Sequence, residues 1–337
     1  MAIKIAINGF GRIGRAAFKA ALENKNLQVV GINDLMDNET LAHLLKHDTV
    51  YREYPHEVKG SKAGITVDGK LYPVFEEKEP AKLPWGKLGA AVVLECTGRF
   101  TNKEDASGHL SAGAKRVILS APAKDDATQT LVYGTQFSAD CLKHKKCEPI
   151  ISMASCTTNC ISPVMQVLAS AFGIEKAFMT TIHSYTADQN LVDGPHRDLR
   201  RARAAAQSII PTTTGAAIAT TKVVPGLEAK FDGISIRVPT VCASLSDITA
   251  VLKKNATAEQ VNQAFTAASK NPLFKKILAV TSEPLVSSDY IGNPYSAIVD
   301  LPYTRVIGGN LLKVLAWYDN EWAYSLRLTE LAAEMGK

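Results

Sequence analysis

The stretch "AIKIAINGFGRIGRAAFKAALENKNLQVVGIND", residues 2–34, decides the fold. It opens with a short apolar run, "AIKIAIN". Then "GFGRIGRAAFKAALENK" sets Ile13, Ala17, Ala20 and Ala21 at helical spacing, and "LQVVGIND" has the pattern of a buried strand. The order is strand, helix, strand. Gly9, Gly11 and Gly14 occupy the first turn in G-x-G-x-x-G spacing, and Asp34 ends the second strand 20 positions after Gly14. In this pattern the glycines permit a tight turn, close approach of a pyrophosphate and close packing of helix on strand. The helix start receives the anion, and the carboxylate accepts from a ribose hydroxyl. Gly9, Gly11, Arg12, Ile13, Gly14 and Asp34 are therefore the expected dinucleotide-binding positions. Asp34 is followed by Leu35, Met36 and Asp37, with no arginine or lysine beside it, an arrangement that favours NAD over the 2′-phosphate of NADP.

Further strands follow. "GAAVVLECTG" (89–98), "AKRVILSAPA" (114–123) and "TLVYG" (130–134) extend a doubly wound sheet, and Thr97, Gly98 and Ser120 stand where such a sheet opens its ligand crevice. Ordinary strand-end turns would use the same residue types. Residues 46–83 are rich in Lys, Glu and Pro and contain "TVDGKLYPV", which reads as a small hairpin in a peripheral insertion.

With 337 residues, 46% of them hydrophobic and 21% charged, the chain has room for two globular domains and does not fit a disordered or fibrous class. Its start lacks a long apolar core before a cleavage site, and its apolar runs fall short of the ~20 residues of a membrane span, so a soluble, unprocessed protein is expected. Six irregularly spaced cysteines (96, 141, 147, 156, 160 and 242) suggest reduced thiols in a cytosol rather than a disulfide frame. A formal charge of +5 suits a small anionic ligand. The segment "HRDLRRAR", 196–203, packs four arginines into seven positions, which reads as a salt-bridged loop or as a nucleic-acid patch.

The chemistry concentrates in "SMASCTTNC", 152–160. "EPIISMAS" reads as a strand. "CISPVMQVLASAFG" reads as a helix with Ile161, Val164, Met165, Leu168 and Phe172 on one face and Gly173 as its stop. Pro163 calls for a kink or an irregular first turn if that helix begins at Cys156. A thiol at the strand-to-helix junction sits in the positive end of the helix, which lowers its pKa. Cys156 is thus the candidate nucleophile, and Cys160, one turn deeper, a buried inert thiol. Two cysteines without a second Cys or His pair offer too few ligands for a closed zinc site, so no metal is expected. "KAFMTTIHSYT" reads as a strand that presents His183 at its end as a base for the thiol.

Together "INGFGRIGR", "SCTTNC", "HSYTADQNLVDGPHRDLRRAR", "IIPTTTGAA", "RVPT" and "WYDNEWAYS" resemble phosphorylating glyceraldehyde-3-phosphate dehydrogenases, in order and along essentially the whole chain. The resemblance implies an α/β protein with a Rossmann-type NAD-binding domain, 1–155, completed by a C-terminal helix, 321–337. It also implies an α+β catalytic and oligomerisation domain, 156–320, with a mixed, largely antiparallel sheet. It implies a cytoplasmic homotetramer that oxidises glyceraldehyde 3-phosphate with NAD and inorganic phosphate through a thioester on Cys156, with His183 as base. Ser155, Thr157, Thr214 and Gly215 would hold inorganic phosphate, and Thr186, Asp188, Arg201 (or Arg200) and Arg237 the substrate phosphate. Asn320 and Tyr324 would lie beside the nicotinamide. The arginine cluster then belongs to an ordered loop beside the active site. Gly194 and Pro195 stand where family members that accept NADP tend to carry a small hydroxyl residue. Ala323 departs from the family's usual glycine. An erythrose-4-phosphate dehydrogenase of the same family, a cysteine hydrolase and a nucleic-acid-binding protein are the alternative readings.

Overall fold

The computed structural model describes residues 2–337, in two compact units. Of the described residues, the first gathers 2–131, Cys141–Ala154 and Ser325–Lys337; the second gathers Val132–Asp140 and Ser155–Tyr324.

In the first unit one sheet runs in the order Gln129–Thr130, Ile150–Ser152, Arg116–Leu119, Val92–Glu95, Ile3–Asn8, Leu27–Asn33, Lys70–Phe75, Gly64–Val67 and Val58–Ser61. Strands from Gln129–Thr130 through Lys70–Phe75 are parallel. Parallel strands are covered on both faces, which is why Ile5, Ile7, Val92, Val93, Leu94, Val117, Ile118 and Leu119 form unbroken buried runs. The helix Arg12–Glu23 follows the first strand and buries Ala16, Ala17, Phe18, Ala20 and Ala21. Two glycines make this turn possible. Gly9 has φ +92°, and a Cβ on Gly14 would lie 2.0 Å from the carbonyl oxygen of Gly9. The strand order reverses beside Ile3–Asn8, so its C-terminal end and that of Val92–Glu95 form the switch point where such sheets bind ligands.

Two expectations need correction. The strand expected across 130–134 is confined to Gln129–Thr130. The hairpin at 66–74 is present, with positive φ at Asp68 and Gly69 in its turn, but instead of standing apart it is joined to the sheet as part of its outer edge. Lys70–Phe75 pairs in parallel with Leu27–Asn33 and carries the hairpin onto the sheet. Pairing with a strand that lies so much earlier in the chain leaves no mark in the local sequence pattern.

The second unit is built on a mixed sheet in the order Ile210–Thr213, Phe231–Val238, Ile174–Ser184, Ser244–Leu252, Leu311–Tyr318, Ala297–Asp300 and Leu278–Thr281. Ile174–Ser184 is parallel to Phe231–Val238, and Leu278–Thr281 to Ala297–Asp300; the remaining pairs on this path are antiparallel. The register sets His183 opposite Arg237. Cys156–Phe172 is one helix packed on this sheet. Ser155 caps it with Thr158 in a capping box, and Gly173 at φ +67° ends it. The helix begins at Cys156 without an irregular first turn and continues through Pro163, which only withholds an N–H from the carbonyl one turn earlier. Strand Ser244–Leu252 buries every second residue, so one sheet face is packed, while Phe178 and Ile234 on neighbouring strands are exposed.

Ala323 lies inside the helix Trp322–Met335 and is buried, with no left-handed backbone. A glycine is therefore not required there, and alanine favours the helix by about 1 kcal/mol over it. Among the described residues no helix is long and apolar enough to cross a membrane.

Candidate active site

Cys156 opens the helix Cys156–Phe172, and His183 lies near the end of the strand Ile174–Ser184. The thiol Sγ is 3.4 Å from His183 Nε2. His183 Nδ1 lies 2.6 Å from the carbonyl oxygen of Ser184, which can only accept, so Nδ1 carries the proton and Nε2 offers its lone pair to the thiol. Burial and the Arg237 charge push His183 down to about 3, which keeps the imidazole neutral. Burial pushes Cys156 up to about 11, against the opposing pull of the Arg237 charge and of the Thr157 N–H and hydroxyl. This corrects the expectation from the helix end alone. In the ligand-free protein the pair is a thiol beside a neutral imidazole. Cys160 is fully buried, 3.8 Å from the carbonyl oxygen of Ala316, with its pKa raised by burial.

Two guanidinium groups flank the pair. Arg237 Nη1 donates to Thr186 Oγ1 at 3.0 Å and to the Ser184 carbonyl at 3.3 Å, while its Nε is buried with no hydrogen-bond partner among the described residues. Arg201 donates through Nε to Thr212 Oγ1 at 2.9 Å, through Nη2 to the Thr213 carbonyl at 3.2 Å, and through Nη1 to Asp188. Arg201 is thus the half-buried, fixed arginine of "LRRAR", and Arg200 is exposed. Burial and the nearby Arg201 charge lower the pKa of Arg237. An anion would relieve both effects.

The remaining expected phosphate contacts are placed unevenly. Ser155 Oγ accepts the Thr158 N–H at 3.1 Å, and Thr214 Oγ1 accepts the Ala216 N–H at 3.2 Å. At Gly215 a Cβ would meet nothing within 4 Å. Thr157 is buried, and its hydroxyl lies 2.9 Å from Tyr318 Oη, which also meets Thr181 Oγ1. Its backbone and hydroxyl are directed toward sulfur and Tyr318 rather than held free for phosphate. Asn320 and Tyr324 are buried, and Asn320 Oδ1 accepts from Ser244 Oγ at 3.0 Å.

In the first unit a crevice of about 590 Å³ opens at the switch point, lined in part by Gly9, Gly11, Asp34 and Thr97. A Cβ at Gly11 would point into open space, and the helix it caps has no side-chain cap and no acidic residue in its first turn. A helix start of this kind favours an anion. The Asp34 carboxylate accepts the N–H of Phe10 at 2.6 Å and of Met36 at 3.1 Å, which places it at the rim. Volume, open glycine, bare helix start and rim carboxylate fit a dinucleotide.

Residues 3–103 match the model for the NAD binding domain of glyceraldehyde 3-phosphate dehydrogenase, and residues 155–320 match its C-terminal domain. The chain is 51% identical to the glyceraldehyde-3-phosphate dehydrogenase of Geobacillus stearothermophilus over 99% of its own length and 98% of the relative's. Identity to glyceraldehyde-3-phosphate dehydrogenase 1 of Bacillus cereus is 51%, with 98% of each chain covered. The chain belongs to the glyceraldehyde-3-phosphate dehydrogenase family. The cofactor of this family member is NAD.

Other expected cofactor positions have different surroundings. Gly14 packs against the Gly9 carbonyl, and Ile13 is half-buried in the first turn of the same helix. Arg12 pairs with Asp48 at 2.8 Å and lies over the Tyr51 ring. Gly98, at φ +69°, follows Thr97, and Ser120 ends the neighbouring strand with its N–H on the Glu95 carbonyl. Sequence reasoning missed Asn8, Asn33, Glu77, Lys78, Arg99 and Phe100 in the crevice and Gln189 beside Arg237. Lys78 and Arg99 bring basic side chains to the crevice from segments other than the one that carries Asp34. Lys78 arrives from beyond Lys70–Phe75, a strand whose place in the sheet was not legible.

Alkylation of Cys156 by iodoacetamide in the cofactor-free enzyme is expected to keep accelerating above about pH 9, as its raised pKa requires, with Cys160 unlabelled. Peptide mapping of labelled protein across a pH series measures this, and a plateau below about pH 7 would reveal a preformed thiolate. For the crevice, Asp34→Ala is expected to weaken NAD by about 1.5–3 kcal/mol and to narrow the preference over NADP. Titration calorimetry with both dinucleotides provides the comparison, and an unchanged ratio would place the carboxylate away from the ribose.

Proposed function

We propose that this protein oxidises glyceraldehyde 3-phosphate with NAD and inorganic phosphate to 1,3-bisphosphoglycerate. The observation that carries the reading is the 3.4 Å contact of Cys156 Sγ with the lone-pair nitrogen of a neutral His183, flanked by Arg237 with an unpartnered buried Nε.

The thiol attacks the aldehyde carbon while His183 Nε2 takes its proton, so charge is generated only as the C–S bond forms. The imidazolium then protonates the new oxyanion, and a hemithioacetal stands on Cys156. NAD, when bound, supplies the hydride acceptor for its oxidation. His183, neutral again, takes the hydroxyl proton in that step, which leaves a thioester on Cys156. Inorganic phosphate attacks the thioester carbonyl, the C–S bond breaks, and the departing sulfur recovers its proton from His183. Arg237, Arg201 and Thr186 hold the substrate phosphate in this reading, with Asp188 holding Arg201 in its absence. Ser155, Thr214 and Gly215 receive the attacking phosphate; Thr157 acts on the sulfur through its N–H. Asn320 and Tyr324 take the nicotinamide side.

The enzyme acts in the cytoplasm as a homotetramer. Leu199 (80% exposed), Val192 (76%), Ile209 (70%) and Leu191 (68%) gather apolar surface on one stretch of the second unit, and the uncovered sheet face adds Phe178 and Ile234. Surface of this kind supports a subunit interface in this reading. Light scattering is expected to give four times the 36.3 kDa chain mass; a monomer would overturn the assignment.

NAD reduction with glyceraldehyde 3-phosphate is expected to require inorganic phosphate for sustained turnover. His183→Asn is expected to slow it about 10²–10⁴-fold, and Cys156→Ser to abolish it with NAD binding retained. Faster turnover with erythrose 4-phosphate would reassign the substrate, and phosphate-independent turnover would overturn the acyl-phosphate product.

A further inference from the structure

Away from the crevice and the catalytic thiol, two more thiols meet in the first unit. Cys141 Sγ lies 2.7 Å from Cys147 Sγ, and both cysteines are free. Cys141 is buried near the end of the helix Gln136–Lys143, and Cys147 is half-buried in the turn that follows. The turn is held by backbone bonds from Lys145 N–H to the Leu142 carbonyl and from Lys146 N–H to the Cys141 carbonyl, with Lys145 at φ +52°. Gln129 clamps both flanks: its Nε2 donates to Cys141 Sγ at 3.3 Å and its Oε1 accepts the Glu148 N–H at 2.9 Å. Arg116 Nη1 donates to the Cys147 carbonyl at 3.1 Å. The juxtaposition is therefore fixed from several directions, mostly by contacts that do not involve the sulfur atoms.

Cys147 also lines a cavity of about 160 Å³ that carries Arg116, Lys145 and Lys337 against a single carboxylate, Glu334, which pairs with Lys337. An anionic reagent has both a charge reason and a route to reach this sulfur.

We propose that Cys141 and Cys147 form a modification site at which a small anionic disulfide converts the dithiol to an intramolecular disulfide. Cys147 sulfur attacks one sulfur of the reagent. A Cys147–reagent mixed disulfide forms, and the first small thiol leaves with the Cys147 proton. Cys141 sulfur then attacks Cys147 sulfur, the protein disulfide forms, and the second small thiol leaves with the Cys141 proton. Two protein thiols are oxidised and one reagent disulfide is reduced to two thiols. Cys147 is the entry residue because it faces the cavity, and Cys141 the resolving residue because it is buried behind it. Burial and the neighbouring thiol push Cys147 up to about 12. Attack by Cys147 therefore quickens as pH rises, and once closed the disulfide has poor leaving groups.

The test uses oxidised glutathione on the full-length Cys156→Ser protein, and on the native protein with Cys156 previously blocked by iodoacetamide, so that neither result depends on dehydrogenase activity or on one variant's folding. Remaining thiols are then trapped with N-ethylmaleimide, and tryptic peptides are read by mass spectrometry. The expected result is a cross-linked Cys141–Cys147 peptide pair lacking two hydrogens, a thiol titre lower by two, and full recovery with dithiothreitol. With Cys141→Ser added, Cys147 is expected to stop at the glutathione adduct. Recovery of both residues alkylated and unlinked, or a stable adduct on Cys147 with Cys141 present, would overturn the proposal.

Discussion

His183 Nδ1 sits 2.6 Å from the Ser184 carbonyl oxygen, and that oxygen also accepts from Arg237 at 3.3 Å. One carbonyl thereby sets the tautomer of the base and steers the guanidinium beside it. Its position is in turn fixed by the residue that bears it. The Ser184 N–H donates to Ser244 Oγ at 3.1 Å, and its hydroxyl donates to the Ala243 carbonyl at 2.7 Å. Ala243 adopts φ +67° and Ala154, just before Ser155, φ +54°, conformations that are costly for residues with a Cβ. The strand end and the helix start that carry the reactive pair are both held by backbone geometry that the surrounding sheet must maintain.

The electrostatics follow from the same placement. Arg201 is near enough to lower the pKa of Arg237, and both guanidinium groups act on His183. Asp188 offsets part of this through its contacts with Arg201 and, at 3.6 Å, His196. Two guanidinium charges disfavour a third cation beside them, so the base stays neutral and available. The positive field is useful only when an anion arrives, which couples phosphate recognition to a base already in its working protonation state.

The first unit has its own buried polar centre. Glu95, 2% exposed, accepts from Asn8 Nδ2 at 2.6 Å, from His109 Nε2 at 3.0 Å and from the Thr97 N–H at 2.7 Å. Trp85 Nε1 donates to His109 Nδ1 at 3.0 Å, so the imidazole proton lies on Nε2, facing the carboxylate. Asn33 Nδ2 donates to Asn8 Oδ1 at 2.7 Å and to the Glu77 carbonyl at 2.9 Å. The network joins the C-terminal ends of three adjacent strands, the edge on which the crevice is built. A buried carboxylate satisfied by several donors holds those ends in one register more specifically than apolar packing would.

By itself the sequence determined the nucleotide-binding unit around Gly9, Gly11, Gly14 and Asp34, the strand-to-helix junction that carries Cys156, and the strand that ends near His183. Each is a local pattern, in which spacing of glycines, apolar residues or caps directly reflects backbone geometry. Only the tertiary structure decided which side chains share a site. Lys78 reaches the crevice because Lys70–Phe75 pairs with Leu27–Asn33, and Arg201 rather than Arg200 is fixed because Thr212 and Asp188 receive it. The protonation states were equally out of reach. A helix N-terminus visible in the sequence favours a thiolate, but burial, which arises only when distant segments pack, raises the Cys156 pKa and, together with the Arg237 charge, lowers that of His183. The meeting of Cys141 and Cys147 belongs to the same class, since their spacing alone does not turn the chain back at Lys145.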